Sequence, residues 1–135
     1  MDVLTPKQRS YCMSRIRGKN TKPEIVVRKL AHSLGYRFRL HVEHLPGSPD
    51  LVFPRLKKII FVHGCFWHRH RCKNGRATPR TRRRFWLRKL QQNKERDQKA
   101  RRALRRLGWK ILVIWECNTQ DIGSLIEQLH SFLSM

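Results

Sequence analysis

At 135 residues the chain has room for one hydrophobic core, so we expect a single domain over 1–135, with 1–20 as a basic N-terminal arm or helix. It carries 31 Lys and Arg against nine Asp and Glu, a formal net charge of +22, which indicates a polyanionic partner. The hydrophobic content of 39% excludes a disordered basic tail. Because it has neither a run of about 18 apolar residues nor a signal-like start, we expect a cytoplasmic protein with no membrane contact.

Two helices are predicted first. Residues 5–17 could form one, although its apolar face is thin and it could serve as an arm instead. The second is better marked, because Thr21 and Glu24 have capping-box spacing and apolar residues then recur at helical spacing until Gly35.

Three strands are predicted next. Apolar and polar residues alternate over 36–43, as in a half-buried strand. The apolar side of that strand would hold Tyr36, Phe38, Leu40 and Val42. After the turn LPGSP, residues 50–53 and 58–63 form a predicted hairpin.

The second half of the chain predicts a helix from about residue 82 to residue 107, ended by Gly108. The apolar run 110–117 predicts a buried central strand, and SLIEQLHSFL predicts an amphipathic helix. The predicted fold is α/β, with the order α-β-β-β-α-β-α and a central mixed sheet flanked by helices.

The long helix has polar residues in its apolar stripe. Trp86, Leu90, Leu104 and Leu107 recur at helical spacing, but Asn93 and Asp97 lie on the same face. A buried carboxylate requires a partner or a metal. The alternative is a helix rotated so that Asp97 meets solvent.

The segment FVHGCFWHRHRC at 61–72 is rich in metal-binding side chains. In an extended chain His70 and Cys72 point the same way, and with Asp97 and the strand-terminal Cys117 they predict a structural Zn²⁺ site. Cys65 is not needed for this set, nor is Cys12. The alternative makes Cys117 a buried thiol and His70 a surface residue.

A catalytic site is predicted around Asp50, at the start of its strand. Asp50 could hold Mg²⁺ against a phosphate, His68 could act as general base, and Glu24 could add a second carboxylate. The alternatives are an ordinary turn residue at Asp50 and a helix cap at Glu24. The adjacent rings of Phe66 and Trp67 fit base stacking or a core equally well.

Motifs in order across nearly the whole chain resemble the very-short-patch-repair (Vsr) DNA mismatch endonucleases. They are T-K-P-E (21–24), L-G-Y-R-F-R-L-H (34–41), L-P-G-S-P-D (45–50), F-V-H-G-C-F-W-H (61–68), F-W (85–86), N-x-x-R-D (93–97) and W-E-C (115–117). The resemblance implies a restriction-endonuclease-like fold and a Mg²⁺-dependent enzyme with structural Zn²⁺. It also implies nicking of one strand of double-stranded DNA at a T:G mismatch left by 5-methylcytosine deamination, in the bacterial cytoplasm at the nucleoid, with mismatch-repair proteins as possible partners.

The resemblance also assigns residues. It implies Asp50 and the Val62 carbonyl as Mg²⁺ ligands, His68 as base, and His63 beside the scissile phosphate. Glu24 would support the metal site. The implied zinc ligands are His70, Cys72, Asp97 and Cys117. The implied DNA-contacting residues are Phe66, Trp67, Trp86 and Asn93, the three rings forming an intercalating wedge.

Two other functions remain open from the sequence. One is a zinc-containing nucleic-acid-binding module without catalysis, and the other is a nuclease with a restriction-type or structure-specific target. Val62 stands where threonine is familiar in the family, and the unusually basic surface leaves the sequence specificity open.

Overall fold

The computed structural model describes residues 21–68, 70–72 and 78–135. The predicted helix at 5–17, the arm at 1–20 and part of the basic loop before the long helix lie outside these residues. The described elements, in chain order, are α1 (Lys22–Ser33), β1 (Arg39–Leu40), β2 (Leu51–Phe53), β3 (Lys58–His63), α2 (Arg83–Arg106), β4 (Lys110–Trp115), a 3-10 helix (Glu116–Gln120) and α3 (Ile122–Leu133). This order confirms the predicted α-β-β-β-α-β-α pattern.

The four described strands form one mixed sheet in the order β1-β2-β3-β4. The β2–β3 pair is antiparallel, as the predicted hairpin requires, whereas β3 and β4 run parallel. Parallel neighbours need a long crossover connection, and α2 lies in that connection. The carboxyl ends of β3 and β4 therefore meet at one edge, where His63 is paired with Trp115.

Every residue of β3 is buried, because helices cover both faces of the sheet. Successive side chains of a strand point to opposite faces. Ile60 and Val62 pack in a cluster with α1 and α3, whereas Ile59 and Phe61 pack in a second cluster with Leu104 of α2. Two apolar layers thus hold β3 in place.

The strand predicted over 36–43 is wrong in length, since β1 contains only Arg39 and Leu40. His41 has a φ of 45°, which ends the extended backbone that a strand requires. Tyr36 and Phe38 pack against the cluster under α1 as expected. Leu40 is exposed and Val42 packs against the other cluster, so the predicted single apolar side does not persist.

The run 110–117 was predicted to be a central strand, and the structure corrects its position. Among the described strands β4 is at the edge of the sheet, paired with β3 alone. Its apolar side chains are covered by the layers on the two faces, as the packing of Ile111 and Leu112 in different clusters shows. Cys117 lies just beyond β4, in the 3-10 helix.

The stripe predicted on α2 is confirmed through Leu104. Leu90 and Leu104 are fully buried, and Asn93 and Asp97 lie between them, partly buried on the same side. Leu107, which ends the predicted stripe, is 57% exposed. Within the described residues no helix is both long enough and apolar enough to cross a membrane.

A buried lysine fixes the amino-terminal end of β3. The Lys58 ammonium donates to the carbonyls of Phe132, at 2.6 Å, and Met135, at 2.9 Å. Burial, together with the charge of Lys110, lowers the pKa of Lys58. These two acceptors offset the cost of burying the charge, so α3 and its carboxyl-terminal extension are tied to the sheet.

The turn before Asp50 depends on a glycine. Gly47 has a φ of +78°, and a Cβ there would lie 2.9 Å from Ala100 Cβ. We expect Gly47→Ala to lower the free energy of unfolding by about 2–6 kcal/mol, because backbone strain and overpacking each cost about 1–3 kcal/mol. Urea unfolding measures this.

Gly35 provides the control for Gly47. Its φ of +95° is equally left-handed, but nothing lies within 4 Å of the added Cβ. Gly35→Ala should therefore show the strain alone. Equal losses in the two variants would contradict a tight contact between the turn and α2.

Candidate active site and metal centres

Two histidines meet at the carboxyl end of β3. His63 is its last residue, and the turn through 64–68 brings the ring of His68 onto that of His63, with ring centroids 3.9 Å apart and planes 6° from parallel. The ring of Trp115, at the end of β4, contacts His63 edge-on at 5.2 Å. The sheet thus presents both histidines at one edge.

Asp97 orients the outer histidine. The Nδ1 atom of His68 forms a hydrogen bond with Asp97 Oδ2, and the two side chains are 25% and 21% exposed. With Nδ1 held by a carboxylate, Nε2 is the nitrogen able to take a proton from a reactant. Burial, reinforced by neighbouring His68, lowers the pKa of His63 to about 3, so His63 is neutral at physiological pH.

This contact of Asp97 differs from the one predicted for it. The carboxylate was expected to join His70, Cys72 and Cys117 around zinc, but the structure groups it with His63 and His68. The physical reason is the phase of α2, which directs Asp97 to the histidine pair. The inference that a carboxylate in this stripe requires a partner or a metal agrees with the contact, and the partner is the His68 imidazole.

Asp50 lies on the other side of β3, at the start of β2. Its Oδ2 accepts a hydrogen bond from the Val62 N–H at 2.6 Å. Burial raises the pKa of Asp50 to about 7, an effect that Val62 opposes and the nearby Glu24 charge reinforces. A cation beside Asp50 would offset these effects, so the site fits a divalent ion. The Val62 carbonyl as a ligand stays a prediction.

Glu24 is part of the same site. Its side chain is 3% exposed, and Thr21, although the N-cap of α1, makes no side-chain capping hydrogen bond. The capping box is therefore not formed, and it does not explain Glu24. Glu24 Oε2 instead pairs with Arg28, at 2.9 Å, and with His41, at 3.1 Å. Oxygen and nitrogen atoms of Glu24, His41 and Asp50 lie within 4.8 Å of one another.

A second group of side chains could hold a metal ion near the histidine pair, His63 and His68. Its ligand atoms, all within 4.8 Å of one another, belong to Cys65, His70, Cys72 and Cys117. Three sulfurs and one nitrogen fit a closed tetrahedral Zn²⁺ site. Burial, with contributions from the other two thiols, raises the pKa of the Cys65 thiol to about 12, so a cation is needed to hold the Cys65 sulfur as a thiolate. The structure thus puts Cys65 in the place predicted for Asp97.

The aromatic residues form one cluster beside the histidine pair. Ring centroids of Phe66, Trp67 and Trp86 are 5.2 to 5.9 Å apart, and all three side chains are partly exposed. Phe85, which is exposed, contacts Trp86 at 5.4 Å. Asn93 donates to the Trp67 carbonyl at 3.2 Å. We call Phe66, Trp67 and Trp86 the ring cluster; partial exposure leaves its faces accessible to a ligand.

The sequence reasoning missed three residues of this site. Cys65 could have been found from its place in the segment that holds His70 and Cys72. Trp115 stacks on His70 at 4.3 Å and also contacts His63, so it lies between the histidine pair and the cysteine group. His41 gave no signal, because its role depends on a left-handed backbone that alternation does not predict.

Comparison with known proteins decides the family. The family model described as DNA mismatch endonuclease Vsr matches residues 1–74. The type II nicking enzyme V.XorIIP of Xanthomonas oryzae pv. oryzae is 48% identical over 132 residues, which is 98% of this chain and 96% of that protein. The DNA mismatch endonuclease Vsr of Escherichia coli K12 is 40% identical over 127 residues, 94% of this chain and 81% of that protein. This chain belongs to the Vsr endonuclease family.

As a Vsr-family protein, the chain is a DNA endonuclease that nicks its substrate. Membership confirms the predicted nuclease fold and rules out the binding module without catalysis. It also implies a divalent metal ion, for which the site at Asp50 is the described group with two carboxylates. The net charge of +22 suits a substrate with a phosphate on every nucleotide.

Proposed function

We propose that this chain nicks one strand of double-stranded DNA at a T:G mismatch, the product of 5-methylcytosine deamination, in a Mg²⁺-dependent step of very short patch repair. The observation that carries the proposal is the junction at 64–68. This one turn connects the His63, His68 and Asp97 group to the ring cluster. A site for cleaving a phosphodiester thus adjoins rings suited to a distorted base step.

The proposed chemistry assigns one task to each group. His68 Nε2 accepts the proton of the attacking water, and Asp97 keeps its ring in place and stabilises the imidazolium. Neutral His63 lies beside the scissile phosphate. Asp50 and Glu24, with the Val62 carbonyl, would hold Mg²⁺, which when bound offsets negative charge developing on the phosphate.

The zinc group has a structural role in this proposal. The segment 64–72 has few apolar side chains with which to hold its shape, and Zn²⁺ would cross-link it to Cys117 after β4. The ligands Cys65, His70 and Cys72 flank the catalytic His68 in sequence. Their fixation would therefore hold His68 and the ring cluster at a constant distance from β3.

The domain organisation, the basic segment 1–20 and the cellular setting are also part of the proposed function. We propose that 1–135 form one domain whose basic segment 1–20 contacts DNA backbone phosphates. We also propose that it acts at the bacterial nucleoid, with mismatch-repair proteins as possible partners. The support for DNA backbone contact is the chain's excess of Lys and Arg.

The test uses labelled duplexes that differ at one base pair. We expect the protein with Mg²⁺ to nick the thymine-containing strand of a T:G duplex, and to leave the matched T:A duplex intact. His68→Ala serves as the catalytic control and should be slower by about 100- to 10,000-fold. Equal nicking of the T:G and T:A duplexes would contradict mismatch recognition.

The relatives favour a second possibility within the same activity. V.XorIIP and the Neisseria meningitidis protein V.NmeAIP, 39% identical over 129 residues, are named type II nicking enzymes. By analogy, nicking by this chain would depend on the base sequence around the mismatch, as cleavage by a restriction enzyme does. Placing the mismatch in varied contexts in the same assay distinguishes a strict context from a general one.

The ring cluster gives a separate prediction. We expect Phe66→Ala and Trp67→Ala to reduce the preference for T:G over T:A by about 10-fold or more, since stacking of one ring on a base contributes about 1–3 kcal/mol. Overall DNA affinity should fall less, because it depends mainly on cationic contacts to phosphates. Nicking rates and binding isotherms on both duplexes measure the two effects.

Phe85→Ala is the matched control for the ring cluster. Phe85 is an exposed ring that contacts Trp86 but lies on α2, outside the turn. Its removal should change discrimination less than either substitution in the turn. Unchanged discrimination in Phe66→Ala and Trp67→Ala would assign these rings to packing alone.

A further inference from the structure

His41 contacts both acids of the proposed divalent-metal site. Its Nε2 lies 3.1 Å from Glu24 Oε2 and 3.9 Å from Asp50 Oδ1. Its backbone N–H points to the Asp50 carbonyl at 3.4 Å. The side chain is 12% exposed, so these contacts are shielded from water. One residue in the loop between β1 and β2 therefore spans the pair.

The backbone of His41 is held in an uncommon conformation. Its φ of 45° lies in the left-handed region, which a residue with a Cβ adopts at a free-energy cost and keeps only where its surroundings fix it. Here the surroundings are Glu24 and Asp50. The left-handed turn ends β1 at Leu40 and places the imidazole at the acids.

The ion pair between Arg28 and Glu24 does not link α1 to the sheet. Arg28 bonds the same Glu24 oxygen at 2.9 Å, but it lies one turn further along α1, so this bond joins two residues of one helix. Asp50 immediately precedes β2. His41 is on the loop that leads to β2, so its bond relates the position of Glu24 on α1 to the sheet.

We propose that His41 is a positioning residue whose Nε2–H donates to Glu24 Oε2 and fixes that carboxylate relative to Asp50, so that both acids face one divalent ion. This inference rests on the proposed metal-dependent function. It assigns His41 no contact with the reacting phosphate. It needs the tautomer with the proton on Nε2, which leaves Nδ1 as an acceptor.

Three substitutions at His41 separate the hydrogen bond from the backbone strain. Glutamine can place an amide N–H near the position of Nε2. Asparagine is too short to do so, yet it tolerates a positive φ better than glutamine does. Alanine provides neither feature. If the hydrogen bond matters, His41→Gln should bind the divalent ion most tightly of the three variants. If only the backbone strain matters, His41→Asn should bind it most tightly.

The probe is Mn²⁺, followed by its electron paramagnetic resonance signal during titration of the full chain. We expect His41→Ala and His41→Asn to weaken Mn²⁺ binding by about 10- to 100-fold, as loss of a residue that orients a metal ligand does. His41→Gln should recover most of that loss. The Mg²⁺ concentration for half-maximal nicking should rise in the same order. His44→Ala, at an exposed position in the same loop, should match wild type.

Three results would overturn the role of His41. They are wild-type Mn²⁺ affinity in His41→Ala, a glutamine variant as weak as the alanine variant, and an asparagine variant better than the glutamine one. The first means that His41 does not matter, the second that the imidazole has another role, and the third that the strain dominates. Failure of the wild type to nick T:G duplexes would instead refute the proposed function, and the Mn²⁺ titration would still decide the role of His41.

Discussion

Asp50→Asn is expected to slow nicking by about 1,000-fold or more. A metal site contributes several kcal/mol of transition-state stabilisation, and each 1.36 kcal/mol is about tenfold in rate. Asparagine keeps an oxygen that can accept the Val62 N–H, so the local hydrogen bond should survive. Single-turnover nicking of a T:G duplex, with saturating protein and Mg²⁺, measures the rate.

DNA binding and stability provide the controls for Asp50→Asn. The variant should bind T:G duplex at least as tightly as wild type, because affinity depends on Lys and Arg contacts to phosphates and a negative charge has been removed. A variant that nicks at the wild-type rate in Mg²⁺ would refute the metal-assisted mechanism. One that no longer binds DNA would show that Asp50 maintains the DNA-binding surface instead.

The raised pKa of Asp50 fixes the direction of a pH effect. Burial raises that pKa from 3.8 to about 7, so between these values the native state without divalent metal keeps a proton that the unfolded chain has lost. The contribution of Asp50 to stability is therefore fully present below about pH 4 and is lost as pH rises through 7. Asparagine does not titrate, so the melting temperature of Asp50→Asn relative to wild type should rise from about pH 5 to about pH 8.

Cys65→Ser is expected to remove zinc, whereas Asp97→Asn should retain it. The ligand atoms of Cys65 lie with those of His70, Cys72 and Cys117, and Asp97 lies with His68. Loss of one thiolate from a four-ligand site should reduce zinc from about one ion per chain to a small fraction and lower the melting temperature, since structural zinc stabilises the fold directly. Elemental analysis and thermal melts measure both.

The Asp97→Asn substitution should affect the nicking rate instead of zinc binding. Asp97→Asn should fold with its zinc and yet nick about 100-fold or more slowly, because an amide holds the histidine ring without stabilising an imidazolium. Cys12→Ser controls for the loss of a cysteine, because we expect Cys12 to be dispensable for zinc binding. Full zinc in Cys65→Ser together with lost zinc in Asp97→Asn would restore the ligand set predicted from sequence.

The parts of the fold that sequence predicted are those with a strong local pattern. Helix α2 and the β2–β3 hairpin appear within a residue or two of their predicted ends. The region 36–43 failed because alternation describes side chains, whereas His41 breaks the strand through its backbone. The edge position of β4 was missed because covering helices allow an apolar run on an edge strand as well as on a central one.

The sequence predicted most residues of the site, but it did not predict which of them contact one another. Asp50, Glu24, His63 and His68 do lie near the same end of β3, and their chemical roles stay predictions. Asp97 was correctly placed on the buried side of α2, but a helix pattern gives a direction and not a partner. The turn at 64–68 decides whether that carboxylate meets the histidine pair or the cysteine group. The sequence of this turn has no periodic pattern from which its conformation could be predicted.

The two ends of β3 are fixed in different ways, and this limits what can move when DNA binds. At one end the Lys58 ammonium is held by two carbonyls after α3; at the other His63 is buried between His68 and Trp115. Both faces of the strand are packed. We expect a strand so constrained to keep its position when DNA binds, so that the duplex undergoes most of the change in shape. Discrimination would then reflect how readily a base step deforms, and easily unstacked steps beside the lesion should be cut faster than stiff ones.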